Sequence, residues 1–167
     1  MTNKISRLNR TSTVFLRIAV SVISLGVVAL CVSLLPFLWS EAYNHQPEYG
    51  YTIRVVVAAM YLSTVPFYVG IYKGWRILDA IDKGQAFSPR PIRALRVISC
   101  AAALISLIYA LSLPFFYIWA DVTDAPGLMI IGLFLTGMPL VISVAIGILQ
   151  RLLAEAVNIK SENDLTV

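Results

Sequence analysis

Four long apolar runs, separated by short polar segments, organise the chain, covering residues 14–39, 53–75, 97–120 and 125–150. A helix needs about 20 apolar residues to cross the hydrocarbon core of a bilayer, and each run has that length. In lipid every backbone N–H and C=O must be paired within the segment, so open strand edges are excluded and each run is expected to be a helix. The first run carries one charge, Arg17, near its start. The second has Arg54 and Lys73 at its ends, and the third and fourth have none. The pattern predicts an all-α membrane protein, a four-transmembrane-helix bundle built as one domain over residues 1–167. Residues 76–96 then form a loop region between the second and third spans, and residues 151–167 a tail.

Composition agrees. Hydrophobic residues make up 59% of the chain and charged residues 13%, against about 45–50% and about 25% in a soluble domain. A soluble protein of this kind would expose large apolar patches. The net charge of +4 would raise nucleic acid as a partner in a soluble chain. Here the basic residues flank apolar runs, which sets membrane orientation instead, so no direct nucleic-acid contact is expected. The first run opens like a secretory signal, with Lys4, Arg7 and Arg10. It far exceeds a signal's apolar region of about 7–15 residues and ends in Pro36, Phe37, Leu38 and Trp39, so it is expected to be retained as a span. Cys31 and Cys100 lie in separate runs, and neither has a partner at metal-ligand spacing. Both read as small buried hydrophobes, with no cofactor or metal implied.

Of the 13 Lys and Arg residues, all but Arg54 fall in the N-terminal segment, the 76–96 region with Lys73 at its edge, or the tail. Glu41, Glu48, Asp121 and Asp124 fall on the other side. The positive-inside rule then places both termini in the cytoplasm. Trp39, Tyr43, Tyr49, Tyr51, Phe116, Tyr117 and Trp119 gather at the outer ends, with Trp75 at an inner end, as interfacial anchors.

The first and third runs resemble each other: Arg17 precedes Pro36 and Trp39 much as Arg96 precedes Pro114 and Trp119. The second and fourth share a central proline, Pro66 or Pro139, then a glycine, Gly70 or Gly147. One account is two duplicated two-helix hairpins related by an axis along the membrane normal. In that case the second and fourth helices pack as equivalents. The other account is shared interfacial grammar. Pro66 and Pro139 each remove a backbone hydrogen bond within a span and are expected helix kinks. Gly70 and Gly74 form a spacing-four pair suited to close packing within the bundle.

The loop region carries the most local information. The helical pattern continues past the second span to about Lys83, and Gly84 reads as its stop. Ser88 is a good N-cap and Pro89 fits the first position of the next helix, with Phe87 in the gap between. Arg90, Arg93 and Arg96 recur every three residues and share a broad face, suited either to an acidic partner or to anionic headgroups. In the tail, which continues the fourth helix, Glu162, Asn163 and Asp164 either fold back toward that face or form a disordered polar end. The candidate partner- or lipid-binding residues are therefore Arg76, Asp79, Asp82, Lys83, Phe87, Arg90, Arg93, Arg96, Glu162, Asn163 and Asp164.

Ile81-Asp82-Lys83-Gly84-Gln85-Ala86-Phe87-Ser88 resembles the loop motif, and Glu162-Asn163-Asp164-Leu165-Thr166-Val167 the C-terminal motif, of the domain-of-unknown-function 2975 group of small bacterial membrane proteins. The resemblance extends over nearly the whole chain in length, span count and motif order. Pro89-Arg90-Pro91 departs from the more polar helix start of that pattern, which puts the local loop geometry in question. The group has no established biochemical activity. The resemblance implies a bacterial cytoplasmic (inner) membrane and a genetic context beside a small helix-turn-helix regulator of the Cro/CI type. It thereby implies a membrane partner that holds or releases a transcription regulator.

No enzyme is expected. The single histidine, His45, has no acidic residue at metal-site spacing, and there is no His-Glu-x-x-His, Gly-x-Ser-x-Gly or phosphate-cradling glycine loop. No charge sits at mid-depth, where one would flag function. Tyr61, Ser63, Thr64, Tyr109 and Thr136 are the polar mid-span groups and read as interhelical hydrogen bonds. The reading that fits best is a membrane-embedded adaptor or regulatory protein presenting its basic cytoplasmic loop to a partner, with membrane lipids as its other contacts. The alternatives are a small transporter, a pore-forming homo-oligomer, or an immunity protein against membrane-active peptides.

Overall fold

The computed structural model describes the backbone of residues 2–44, 50–82 and 89–164, and the side chains of residues 13–42, 50–82 and 91–159. These residues form four α-helices and no strand: α1 (Thr2–Asn44), α2 (Gly50–Asp82), α3 (Pro89–Val122) and α4 (Gly127–Asp164). All four are long and apolar enough to cross a membrane, over Thr13–Ala42, Gly50–Asp82, Pro91–Val122 and Gly127–Ile159. α3 starts at Pro89, where a fixed φ and a missing N–H cost nothing. α4 runs on through the polar tail to Asp164, so the backbone of residues 151–164 prolongs the span. Lys83, Gly84, Phe87 and Ser88 lie outside the described residues.

The helices pack in series. α1 meets α2, α2 meets α3 and α3 meets α4, while no Cα of α1 comes within 8 Å of α3 or α4 among the described residues. In the most apolar stretch of each span, 28% of residues are buried in α2 and in α3, against 6% in α1 and 11% in α4. α2 and α3 are thus the centre, and α1 and α4 offer most of their apolar surface to lipid.

Each interface keeps a seven-residue, antiparallel register, the spacing of a left-handed coiled-coil seam. Between α1 and α2, the Tyr61 hydroxyl donates to the Cys31 carbonyl at 3.0 Å and the Tyr68 hydroxyl to the Ser24 carbonyl at 2.9 Å. One further step along, Arg17 lies over the Trp75 ring. Between α2 and α3, Ser63 bonds Tyr109 at 3.1 Å. One step away, Val56 joins Phe116 in the same buried cluster. Between α3 and α4, Ser99 Oγ donates to the Ser143 carbonyl at 2.9 Å and Ser143 Oγ to the Ser99 carbonyl at 2.8 Å. Seven residues along α3, Ser106 Oγ donates to the Thr136 carbonyl at 2.8 Å. Small hydroxyl residues let α3 and α4 approach closely, whereas α1 is held by long tyrosines reaching across to it.

Two glycines sit at tight approaches. A Cβ on Gly132 would lie 2.9 Å from Cγ of Phe116, and one on Gly50 would collide with the Ala42 carbonyl. Gly70 and Gly74, expected to be close-packing positions, have open space where a Cβ would stand. They fall on faces of α2 that meet neither neighbour closely. Phe116, expected in the interfacial belt, is instead core, at 3% exposure, because α3 turns it toward Gly132. Tyr51, Trp39 and Tyr117 are exposed, as anchors should be.

α3 ends in a Schellman motif: Asp124 takes φ 49° at C′, its N–H donates to the Asp121 carbonyl, and the Ala125 N–H donates to the Ala120 carbonyl. Pro36, Pro66, Pro114 and Pro139 all lie inside helices that continue through them. α2 and α4 do not pack as equivalents, because α2 has a neighbour on each side and α4 has only α3. The packing therefore lacks the symmetry that duplicated hairpins require.

Candidate functional site

The antiparallel registers bring the start of α1, the end of α2, the start of α3 and the end of α4 to one end of the bundle. Among residues with described side chains, that end carries Arg17, Lys73, Arg76, Asp79, Asp82, Arg93, Arg96, Arg151 and Glu155. The opposite end carries Glu41, Arg54, Asp121 and Asp124.

Arg17 organises the basic end. It lies just inside the α1 span, which begins at Thr13. Its Nη2 donates to both Asp79 and Asp82, with Asp82 Oδ2 at 2.9 Å. Residues three apart on a helix share a face, which is why one arginine reaches both carboxylates. The guanidinium also lies 5.7 Å from the Trp75 ring centroid, a cation–π distance. Asp79 and Asp82 were expected to belong to a surface presented to a partner. The structure places both against Arg17, tying α1 to α2. On the neighbouring turn Lys73 and Arg76 both lie over the Tyr72 ring, at 5.7 and 5.3 Å.

Arg93 and Arg96 are exposed at the start of α3, while Pro91 and Ala94 on the same turns are buried. The helix therefore turns its small residues inward and these two arginines outward. Arg76 is exposed as well. The side chains of Arg90, Glu162, Asn163 and Asp164, and all of Lys83 and Phe87, lie outside the described residues.

Among the mid-span polar groups, Tyr61 and the Ser63–Tyr109 pair bond between helices as expected. Thr64 and Thr136 bond within their own helices, to the Tyr61 and Gly132 carbonyls. Among the described residues no cluster of three His, Cys, Asp or Glu side chains could hold a metal, and Cys31 and Cys100 are free thiols.

Sequence reasoning missed the role of Arg17, which it counted as an orientation signal only. The available signal was its place inside an apolar run, where an isolated charge needs a partner. Two aspartates three apart at the matching end of the next helix were the obvious candidates.

Four long apolar helices in antiparallel series, with mid-span polar groups engaged in hydrogen bonds and basic charge concentrated at one end, define a multi-pass α-helical membrane protein. Residues 37–167 match the family described as protein of unknown function DUF2975, and the chain belongs to that family. It is similar to the uncharacterized membrane protein YoaS of Bacillus subtilis (strain 168), with 42% identity over 160 residues covering 96% of this chain and 100% of YoaS. No solved structure matches the chain.

Proposed function

We propose that this chain is a membrane-embedded adaptor of the bacterial cytoplasmic membrane. Its arginine-rich end faces the cytoplasm, as the positive-inside rule requires, and presents Arg76, Arg93 and Arg96 to an acidic surface on a cytoplasmic partner. The observation that carries this reading is the division of charge at that end. Arg17 takes up both Asp79 and Asp82, while Arg93 and Arg96 point away from the bundle. A partner approaching α3 thus meets cations whose nearest acidic neighbours on α2 are already engaged. Exposed interfacial charges of this kind steer association and make it salt-dependent. The family resemblance suggests a small helix-turn-helix regulator as the partner, held at or released from the membrane.

The test is a pull-down. The chain is tagged in the 45–49 segment, cross-linked in intact cells and purified in mild detergent. The expected result is a small DNA-binding protein retained by the native chain and lost from an Arg93→Gln, Arg96→Gln variant that keeps its topology. Recovery of the same proteins with both chains would overturn the role given to the arginines.

A further inference from the structure

Because no Cα of α1 comes within 8 Å of α4, the series of helices encloses a space that stays open on one side. It is a cavity of about 340 Å³ lined by all four helices. Leu30 of α1 and Phe134 of α4 both line it and are 52% and 62% exposed, so they flank its mouth. Ser63 and Tyr109 line it too and are 7% exposed each, so they form part of its floor.

We infer that this cavity is a binding site for one acyl chain of a membrane phospholipid, from the leaflet at the 123–126 end of the bundle. Depth is the first argument. Phe134 and Pro139 lie seven and twelve residues beyond Gly127, which at 1.5 Å per residue places the lining about 10–18 Å below the start of α4. That is within hydrocarbon, beneath the headgroups. Chemistry is the second. The lining is predominantly aliphatic, aromatic and methionine side chains. Its polar groups are already engaged: Ser63 with Tyr109, and Thr64 with the Tyr61 carbonyl. A polar solute or a water molecule needs several partners, which such a lining does not supply. The third is packing. Protein interiors leave few voids larger than a water molecule, so a space of this size open to lipid takes in what surrounds it. The volume falls within the range of about 300–1,000 Å³ usual for small-ligand sites. The inference does not depend on the adaptor reading, since it concerns the membrane face and not the basic end.

The test is photo-cross-linking of the full chain in lipid nanodiscs. The probe is a phosphatidylglycerol with a diazirine in the distal half of one acyl chain, and adducts are mapped by peptide mass spectrometry. The expected result is labelling of Ser63 or Tyr109, which a chain reaches through the mouth. Leu30→Trp, which puts an indole at the mouth, reduces that labelling several-fold and leaves exposed Leu111 labelled as before. If Leu30→Trp does not fold, the native chain still decides: a diazirine beside the headgroup labels Ser63 and Tyr109 several-fold less than the distal one. Labelling of Leu111 and Val141 with none at Ser63 or Tyr109 overturns the inference. So does floor labelling that is indifferent to the plug, or to the position of the diazirine.

Discussion

At Gly132 a single methyl group decides how closely α4 can lie on α3. Its Cβ would meet Phe116 near the root of the ring, at Cβ and Cγ, and Phe116 is buried in the core. The ring cannot swing away, so Gly132→Ala is expected to cost about 1–3 kcal/mol, the usual price of overpacking. Unfolding by detergent titration would measure this. Gly70→Ala is the matched control, because open space awaits its methyl, and no loss is expected in the same titration. Asp124 presents the opposite case. It holds a left-handed conformation at the end of α3, which costs an L-residue roughly 1–2 kcal/mol and glycine almost nothing. Asp124→Gly should therefore raise stability by about 1 kcal/mol at most, since the more flexible unfolded chain offsets part of the gain.

Between elements, two styles of attachment coexist. α3 and α4 exchange hydroxyl bonds at Ser99 and Ser143 at carbonyl-to-hydroxyl distances of 2.8 and 2.9 Å. Such bonds between membrane helices contribute about 0.6 kcal/mol each on average. Ser99→Ala combined with Ser143→Ala should lose roughly 1 kcal/mol, and less than the sum of the single changes if the pair acts as a unit. α1 is attached otherwise, by tyrosine hydroxyls along its length and by Arg17 at its end. The Arg17 side chain is 31% exposed and those of Asp79 and Asp82 are 53% and 37% exposed, so solvent screens the ion pair. Its net contribution to stability is expected to be below about 1 kcal/mol. Its effect on position should be larger. Spin labels at the matching ends of α1 and α2 should show a broader and longer distance distribution in Arg17→Gln, and in Asp79→Asn with Asp82→Asn. An unchanged distribution would mean that Arg17 does not anchor the helix.

For the whole molecule, the arrangement in the membrane is directly testable. With Cys31 and Cys100 replaced by alanine, a membrane-impermeant maleimide should label Thr123→Cys in intact cells and Arg93→Cys only after permeabilisation. The reverse pattern would invert the orientation proposed from charge. How far the chain can be read without its structure follows from the same physics. The four spans, the helix start at Pro89 and the helical continuation of the tail were legible, because length and apolarity are what a bilayer demands of a segment. Which faces meet was not. Residues facing lipid and residues facing a neighbouring helix are equally apolar, so Phe116 reads as a belt residue when it is core, and Gly70 as a contact when it is open. The spacing of Tyr61, Tyr68 and Trp75, or of Ser99 and Ser106, was visible as a seven-residue rhythm. Nothing in it names the partner strand of residues. The serial order that leaves α1 apart from α4 depends on such pairings, and the cavity with it.

The tyrosine contacts along α1 have a consequence for how that helix can move. A hydroxyl donating to a main-chain carbonyl does not distinguish one residue from another, because every turn of a helix offers an equivalent acceptor. Tyr61 and Tyr68 therefore hold α1 against α2 without themselves fixing which residues of α1 lie opposite them. What fixes the register is particular to certain residues: Leu35 and Ala42 buried with Ile53 and Val57, Arg17 on its aspartates at one end, and the Gly50 backbone against Ala42 at the other. Position along the membrane normal is thus held by an apolar cluster toward one end of α1 and by a charged tie at the other, so a signal that released Arg17 would free that end of the span first.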